Sequence, residues 1–282
     1  MNLINTLQMY FQYAFVWRAL IVGVLIALCS SFLGVTLVLK RFSHIGDGLS
    51  HVAFGFMCIA AIIHLSNDMI LIIPATLVCA IILLRSGENA KFKGDASLAM
   101  FSVSSLAISY LMMNVFSESA NVSGDVCTTL FGSTSILTLS KDQVLLSIIL
   151  ALTVTTIYFV LYNKIFVITF DENFASAIGI NVRKYNFLIA TVIALVVVLA
   201  MKLVGSLLVT ALIIFPAISS MCIFKNYRMV IIFSVIVSIF CSILGILVAI
   251  VYGTPVGSTI VAINLIIYLL CRLLGALKNG CR

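Results

Sequence analysis

Long, nearly unbroken apolar runs alternate with short polar segments along the whole chain of 282 residues. Each run covers roughly 17–25 residues, the length that a helix needs to cross the hydrocarbon of a bilayer. Because the runs lack the alternation of barrel strands, the pattern predicts an all-α, polytopic membrane helical bundle. We expect about eight or nine transmembrane helices, near residues 15–39, 47–65, 69–84, 96–115, 143–162, 186–203, 205–223, 229–251 and 257–276.

The count of spans depends on Lys202–Gly205, which is either a loop between two short helices or a break within one helix. The positive charges between spans fall in alternate loops, at Lys40 and Arg41, Arg85, Lys91 and Lys93, Lys164, Arg183 and Lys184, and Lys225 and Arg228. With nine spans and the N-terminus outside, these loops and the C-terminal tail all lie in the cytoplasm, as the positive-inside rule requires. Residues 1–282 then form a single transmembrane domain.

The composition agrees with a membrane protein and argues against other classes. Hydrophobic residues make up 63% of the chain and charged residues 9%, against about 25% charged in soluble domains. The net charge of +7 is carried mostly between spans, so membrane orientation explains it better than nucleic-acid binding. The eight cysteines form no Cys-x-x-Cys pair, which argues against a zinc knuckle or a disulfide framework. The first apolar run is too long for a cleavable signal, so we expect a true span.

The segment Gly46–His51 carries the ionisable pair best suited to a metal ion. Asp47 and His51 are spaced i, i+4, so both project from one helix face. A carboxylate and an imidazole form a partial site for Zn²⁺ and a fair one for Mn²⁺. The alternative is structural: Asp47 caps the second span and His51 bonds a backbone carbonyl. Spacing leaves both explanations open, and positive-inside orientation places Asp47 within about two turns of the cytoplasmic edge.

A second segment, Asp171–Ile180, predicts a short amphipathic helix within the cytoplasmic residues 163–184. Acidic residues at its start suit a helix N-terminus, and Gly179 suits its C-terminal end. Phe174, Ala177 and Ile178 share one face. This face either docks in the groove of a partner protein or lies on the membrane surface.

A third segment, Lys202–Ser220, combines small residues with a proline. Gly205 and Thr210 allow close helix contacts, and Pro216 removes a backbone donor and favours a kink. Broken helices at membrane depth usually line a cavity. We therefore expect Gly205, Thr210 and Pro216 to lie along a pathway, with Lys202 reaching the outer interface.

These three segments, in this order, resemble the metal-uptake ABC permeases, a family that imports zinc, manganese or iron. The resemblance extends over roughly residues 15–275. Its most specific parts are Arg41–Gly55, Asp171–Ile180 and Lys202–Ser220, and Leu130–Ser133 and Tyr252–Gly257 add to them.

The resemblance implies an importer permease in a bacterial plasma (inner) membrane, working as a homodimer with a cytoplasmic ABC ATPase dimer and an extracytoplasmic metal-binding protein. It implies that Asp47 and His51 contact metal, and that the ATPase docks on a coupling helix with Asp171, Glu172, Phe174, Ala175 and Gly179. Zinc is the expected cargo. Gly253 stands where some zinc members carry an acidic residue, so manganese and iron remain alternatives. No permanently bound cofactor is expected.

We expect a transport subunit rather than an enzyme. The chain has no Gly-x-x-x-x-Gly-Lys-Ser/Thr phosphate loop and no His-Glu-x-x-His motif, so ATP hydrolysis belongs to a partner and a zinc protease is disfavoured. An ion-coupled secondary metal transporter is the alternative, because protonatable groups within spans can couple ion flow.

Overall fold

Helices make up all the regular structure of the residues that the computed structural model describes, which are 10–65, 68–89, 94–116 and 139–280. The helices are α1 Ala14–Leu39, α2 Ile45–Ile62, α3 Met69–Asn89, α4 Gly94–Phe116, α5 Lys141–Phe170, α6 Glu172–Ala177, α7 Val182–Val204, α8 Ser206–Ile223, α9 Tyr227–Tyr252 and α10 Val256–Gly280. The predicted all-α class is therefore confirmed. Leu130–Ser133, which adds to the resemblance noted in the sequence, falls within 117–138, outside the described residues.

The apolar runs of the sequence become helices of membrane-spanning length. Within the described residues, eight helices are long and apolar enough to cross a bilayer, and Met69–Leu83 of α3 is a shorter apolar helix. Each of the nine predicted spans coincides with one of these helices. The prediction of eight or nine spans is confirmed, and the short helix α6 lies between two of them.

Polar contacts gather at both ends of the helices. At one end, Lys40 after α1 forms an ion pair with Glu172 of α6, with 2.7 Å between Nζ and Oε1. We call this the coupling end. At the far end, Lys202 of α7 pairs with Asp68 before α3, also at 2.7 Å. Arg18 at the start of α1 donates to the carbonyl oxygen of Leu139 before α5, at 3.1 Å. These contacts fit helices that pass back and forth between two faces.

The interior is built around α1, α7 and α8, whereas α4, α5 and α10 carry many exposed apolar side chains that suit contact with lipid. Helices α1 and α8 cross closely at Gly34, where any Cβ would collide with the backbone of Ile213. Helix α9 approaches α1 through small residues, and Ser238 Oγ donates to the carbonyl of Ala27 at 2.9 Å. Small residues permit such close contacts without a solvent-driven hydrophobic force.

Candidate functional site

Asp47 and His51 occupy one face of α2, as their spacing requires. Asp47 lies in the first turn of the helix, and its Oδ1 is 3.4 Å from Nε2 of His51. The Asp47 side chain keeps 40% of its surface exposed, and that of His51 keeps 13%. The pair therefore combines a shielded imidazole with a carboxylate that an ion can still reach.

The carboxylate of Asp47 is held from a different helix. Ser102 of α4 donates its hydroxyl to Asp47 Oδ2 at 2.6 Å. The residue at the N-cap of α2 is His44, which makes no side-chain capping bond. Asp47 is thus oriented by Ser102 and His51 rather than acting as the cap of α2. Sequence reasoning missed Ser102, because a serine within an apolar run carries no signal of its partner.

His51 has one nitrogen without a partner. Its Nδ1 is buried and makes no hydrogen bond to any described residue. Buried polar atoms are nearly always paired in native structures, so an orphan nitrogen needs an explanation. Neutral imidazole is a common ligand for divalent transition metals. The ring nitrogen that faces the Asp47 carboxylate is Nε2, so Nε2 and the carboxylate are the two donors that one ion could share.

The pair offers two donor groups, fewer than a complete metal site needs. In the described part of the chain, no group of three or more His, Cys, Asp and Glu residues could hold a metal ion. Structural zinc sites usually have four protein ligands, and catalytic ones have three plus water. Asp47 and His51 alone would hold a metal ion only weakly.

The first turn of α2 lies beside the middle of α8. A Cβ built on Gly46 would sit 2.9 Å from Cδ1 of Ile213 and 3.9 Å from the methyl group of Thr210. Ile213 is eighth in the 18 residues of α8. The structure therefore brings Thr210 close to the Asp47 turn, whereas Gly205 lies at the start of α8 and Pro216 further along it.

Gly205 alone joins α7 to α8. Helix α7 ends at Val204 and α8 begins at Ser206, and Gly205 adopts φ 99° and ψ 152°. This backbone region is essentially restricted to glycine. The interruption at Lys202–Gly205 is therefore a one-residue joint between two helices.

Pro216 lies inside α8, which continues past it to Ile223. Ser220 one turn later donates its hydroxyl to the carbonyl oxygen of Pro216 at 2.6 Å. Since α8 is continuous from Ser206 to Ile223, the interruption in this segment lies at Gly205 rather than at Pro216.

Helix α6 has a defined start and end. The side chain of Asp171 caps it by accepting the N–H groups of Asn173 and Phe174, both at 2.9 Å. At the other end, Gly179 has φ 84°. The N–H of Gly179 bonds Ser176 and that of Ile180 bonds Ala175, at 3.1 and 3.0 Å, which is the Schellman pattern.

The two faces of α6 differ. Phe174 and Ile178 leave 56% and 53% of their surfaces exposed. Ala175 faces the opposite way and is fully buried. Glu172 also turns toward the bundle, where it pairs with Lys40. The coupling residues expected from sequence therefore separate into an exposed apolar face and two positions that face inward.

Comparison with known proteins decides the family. The model of the ABC 3 transport family matches residues 12–275. The chain belongs to the ABC 3 transport family. The resemblance noted in the sequence is thereby confirmed, together with a multi-pass location in a bacterial inner membrane.

Relatives within the ABC 3 family carry transport names. The chain is 26% identical to the high-affinity zinc uptake system membrane protein ZnuB of Haemophilus influenzae, over 92% of this chain and 97% of that protein. It is 27% identical to the manganese import system permease protein ScaB of Streptococcus gordonii, over 92% and 90%. These names do not agree on one metal.

A solved structure shares the fold of this chain. PsaBC from Streptococcus pneumoniae, solved in complex with Fab, superposes with a TM-score of 0.81 at 24% identity, covering 96% of this chain and 95% of that one. The match extends over nearly the whole bundle, so the arrangement of helices described above is a known fold.

Proposed function

We propose that this chain is the permease subunit of an ABC importer that moves a divalent metal ion into the cytoplasm. The observation that carries the proposal is the cluster of Asp47, His51 and Ser102, in which Nε2 of His51 lies 3.4 Å from a partly exposed carboxylate that Ser102 orients. Membership of a transport family whose relatives are named for zinc and manganese supports the same cargo.

Zinc is the proposed cargo, and manganese is the nearest alternative, with iron behind it. One imidazole nitrogen and one carboxylate suit borderline ions such as Zn²⁺. The harder ion Mn²⁺ binds the same two donors with lower affinity. The ion is a substrate that passes through, and the chain needs no resident cofactor of its own.

Two copies of the chain are proposed to complete the site. Asp47 and His51 give two ligands, and a two-fold partner would supply the same pair from the other side of the axis. Four groups of this kind match the usual coordination of zinc. An extracytoplasmic metal-binding protein would deliver the ion to the dimer.

The energy is proposed to come from two copies of a separate ATPase that dock at α6. The exposed pair Phe174 and Ile178 offers an apolar surface at the coupling end, where basic residues such as Arg183 and Lys184 flank it. A short amphipathic helix in a partner groove is a common mode of recognition. Closure of the ATPase dimer would then alternate access to Asp47 from the two sides.

The decisive experiment is metal uptake by cells or proteoliposomes with Asp47→Ala and His51→Ala variants. We expect both to lose uptake of ⁶⁵Zn²⁺ while the protein still inserts and co-purifies with its ATPase, because each removes one of two ligands. Asp142→Ala and His64→Gln, which change exposed residues of the same types outside the cluster, are matched controls. Normal uptake by both cluster variants would remove the pair from the site.

Uptake with an inactive ATPase tests the source of energy. We expect no transport when the partner cannot hydrolyse ATP. Continued uptake would contradict the importer mechanism and favour an ion-coupled secondary transporter. Competition between Zn²⁺, Mn²⁺ and Fe²⁺ in the same assay identifies the metal.

A further inference from the structure

Three polar side chains from three helical elements form a closed set at the coupling end. Lys40 Nζ donates to Glu172 Oε1 at 2.7 Å and to Asn186 Oδ1 at 2.9 Å. Asn186 in turn donates through Nδ2 to the same Glu172 Oε1 at 3.2 Å. We call this set the Lys40 triangle. It joins the end of α1, the first residue of α6 and the first turns of α7.

The triangle is sheltered from water on the lysine side. The side chain of Lys40 keeps only 8% of its surface exposed, and that of Glu172 keeps 37%. Sheltered ion pairs are screened by salt less than surface pairs. Without the Glu172 carboxylate, the nearly buried ammonium of Lys40 would lose one of its hydrogen bonds. The ion pair therefore stabilises the contact between α1, α6 and α7.

The triangle lies close to the metal half-site along the chain. Lys40 caps α1, and only a short turn separates it from α2, whose first turn contains Asp47. The turn is closed by hydrogen bonds from the N–H of Phe42 to the carbonyl oxygen of Leu37 and from the N–H of Ile45 to that of Phe42, at 2.9 and 3.1 Å. Arg41 within it has φ 62°, which is uncommon for a residue with a side chain. A turn this constrained passes a displacement of Lys40 to Asp47.

Helix α6 is rigid enough to be the other end of the connection. Its caps at Asp171 and Gly179 fix both ends, and Ala175 is buried against the bundle. Glu172 follows the Asp171 cap directly, so a movement of α6 must move the Glu172 carboxylate or break its bonds to Lys40.

We propose that the Lys40 triangle is the mechanical connection through which α6 controls the Asp47–His51 half-site, so that Glu172 acts inside the permease rather than as a contact for the ATPase. This inference rests on the proposed function. Glu172 and Lys40 are positioning residues. They touch no metal, and their ion pair fixes the position of the α1–α2 turn relative to α6.

A connection of this kind predicts uncoupling rather than simple loss of activity. The exposed face of Phe174 and Ile178 is separate from Glu172, so the ATPase can still dock and turn over when the triangle is broken. The energy of hydrolysis then fails to reach the half-site. A residue that merely anchors the fold would lower ATP hydrolysis and transport together.

The test measures ATP hydrolysis and metal uptake in the same proteoliposomes, with the full complex of permease, ATPase and metal-binding protein. Variants Lys40→Gln and Glu172→Gln break the ion pair, and the double exchange Lys40→Glu with Glu172→Lys rebuilds it in reverse. Lys164→Gln is a matched control, because Lys164 also joins two helices at the coupling end by bonding Tyr185 OH at 2.7 Å, outside the triangle.

We expect the single variants to keep ATP hydrolysis within about twofold while ions moved per ATP fall by about 5- to 150-fold, the usual range of a coupling free energy between two sites. The double exchange should recover a large part of that ratio, and Lys164→Gln should leave it unchanged.

Three results would overturn the proposed role of the Lys40 triangle. An unchanged ratio of ions to ATP in the single variants is the first, and loss of ATPase co-purification with Glu172→Gln is the second. If the single variants do not assemble, the variant with both Lys40→Glu and Glu172→Lys decides the question. The third result is that this double variant assembles but its ratio of ions moved per ATP does not recover. A wild-type complex with no ATP-driven uptake is a separate result, and it would refute the proposed function and the triangle with it.

Discussion

At the scale of single residues, the half-site depends on a hydrogen bond that crosses between helices. Asp47 and His51 share α2, but Ser102 on α4 holds one carboxylate oxygen at 2.6 Å. The other oxygen faces His51. Partners that orient metal ligands are as much part of a site as the ligands, because they fix the direction of the lone pairs.

Replacing Ser102 by alanine should therefore weaken transport without removing a ligand. We expect Ser102→Ala to lower metal affinity or uptake by about 10- to 100-fold, the usual effect of losing such a partner. Ser109→Ala is the control on the same helix, because Ser109 Oγ bonds the carbonyl of Ser105 at 2.6 Å instead. Concentration-dependent uptake of Zn²⁺ measures both, and equal curves for the two variants would contradict a positioning role for Ser102.

The sequence predicted the residues that a local pattern can reveal. Asp47 and His51 are four positions apart, and helix geometry alone places them together. Ser102 lies 55 positions from Asp47 and Lys40 lies 132 positions from Glu172, so only the packing of helices brings them into contact. For that reason the sequence could name Glu172 but could not say that it faces inward.

At the scale of elements, α6 depends on its surroundings. It has only six residues, and helices shorter than about 12 residues are marginal in water on their own. The Asp171 cap, the Gly179 end and the buried Ala175 hold it in place. These same constraints leave Phe174 and Ile178 facing outward, where a partner can reach them.

Truncating the exposed face should release the ATPase. We expect Phe174→Ala with Ile178→Ala to lower ATPase affinity by about 30-fold, since aromatic anchors of an interface commonly contribute about 2 kcal/mol or more. Co-purification of the ATPase from detergent measures the loss. Tyr252→Ser, which changes an exposed aromatic residue at the far end, is the control. Retention of the ATPase by the double variant would favour the alternative that α6 lies on the membrane surface.

At this scale the apolar runs predicted every helix of membrane-spanning length, because hydrophobic length alone decides what can cross a bilayer. The sequence left open whether Lys202–Gly205 was a loop or a break. Backbone dihedrals decide such a question, and composition does not report them.

At the scale of the whole molecule, a single chain presents an incomplete site. The described residues contain no metal-binding group larger than a pair. Helices α4, α5 and α10 expose long apolar surfaces, which in a membrane can meet lipid or a second copy. The proposed homodimer, with one site shared between its two chains, would account for both the missing ligands and the partly exposed carboxylate of Asp47.

A tandem fusion of two copies tests the shared site. With Asp47→Ala in one copy only, uptake should fall nearly as far as with both copies changed, because a single ion needs ligands from each chain. His64→Gln in one copy is the control and should leave uptake unchanged. Retention of about half of the uptake would instead indicate one independent site per chain, since independent sites add.

The sequence could not reveal which neighbour the first turn of α2 contacts. Counting from the positive loop predicts that Asp47 lies close to the cytoplasmic edge, and the structure adds that the adjacent Gly46 lies against Ile213 in the middle of α8. The depth of a side chain depends on how helices cross, which is a property of the assembled bundle.

Helix α7 is held by a polar contact near each end: Asn186 accepts a hydrogen bond from Lys40, and Lys202 forms an ion pair with Asp68. Asn186 and Lys202 are separated by about 24 Å at 1.5 Å per residue. If the Lys202–Asp68 ion pair stays formed and α7 rotates about it, a tilt of the helix by about 7° moves Asn186 by about 3 Å over that length. Such a movement is as long as the 2.9 Å hydrogen bond from Lys40 to Asn186. Even a small tilt of α7 would therefore break this bond, so the contact at the coupling end is either formed or broken.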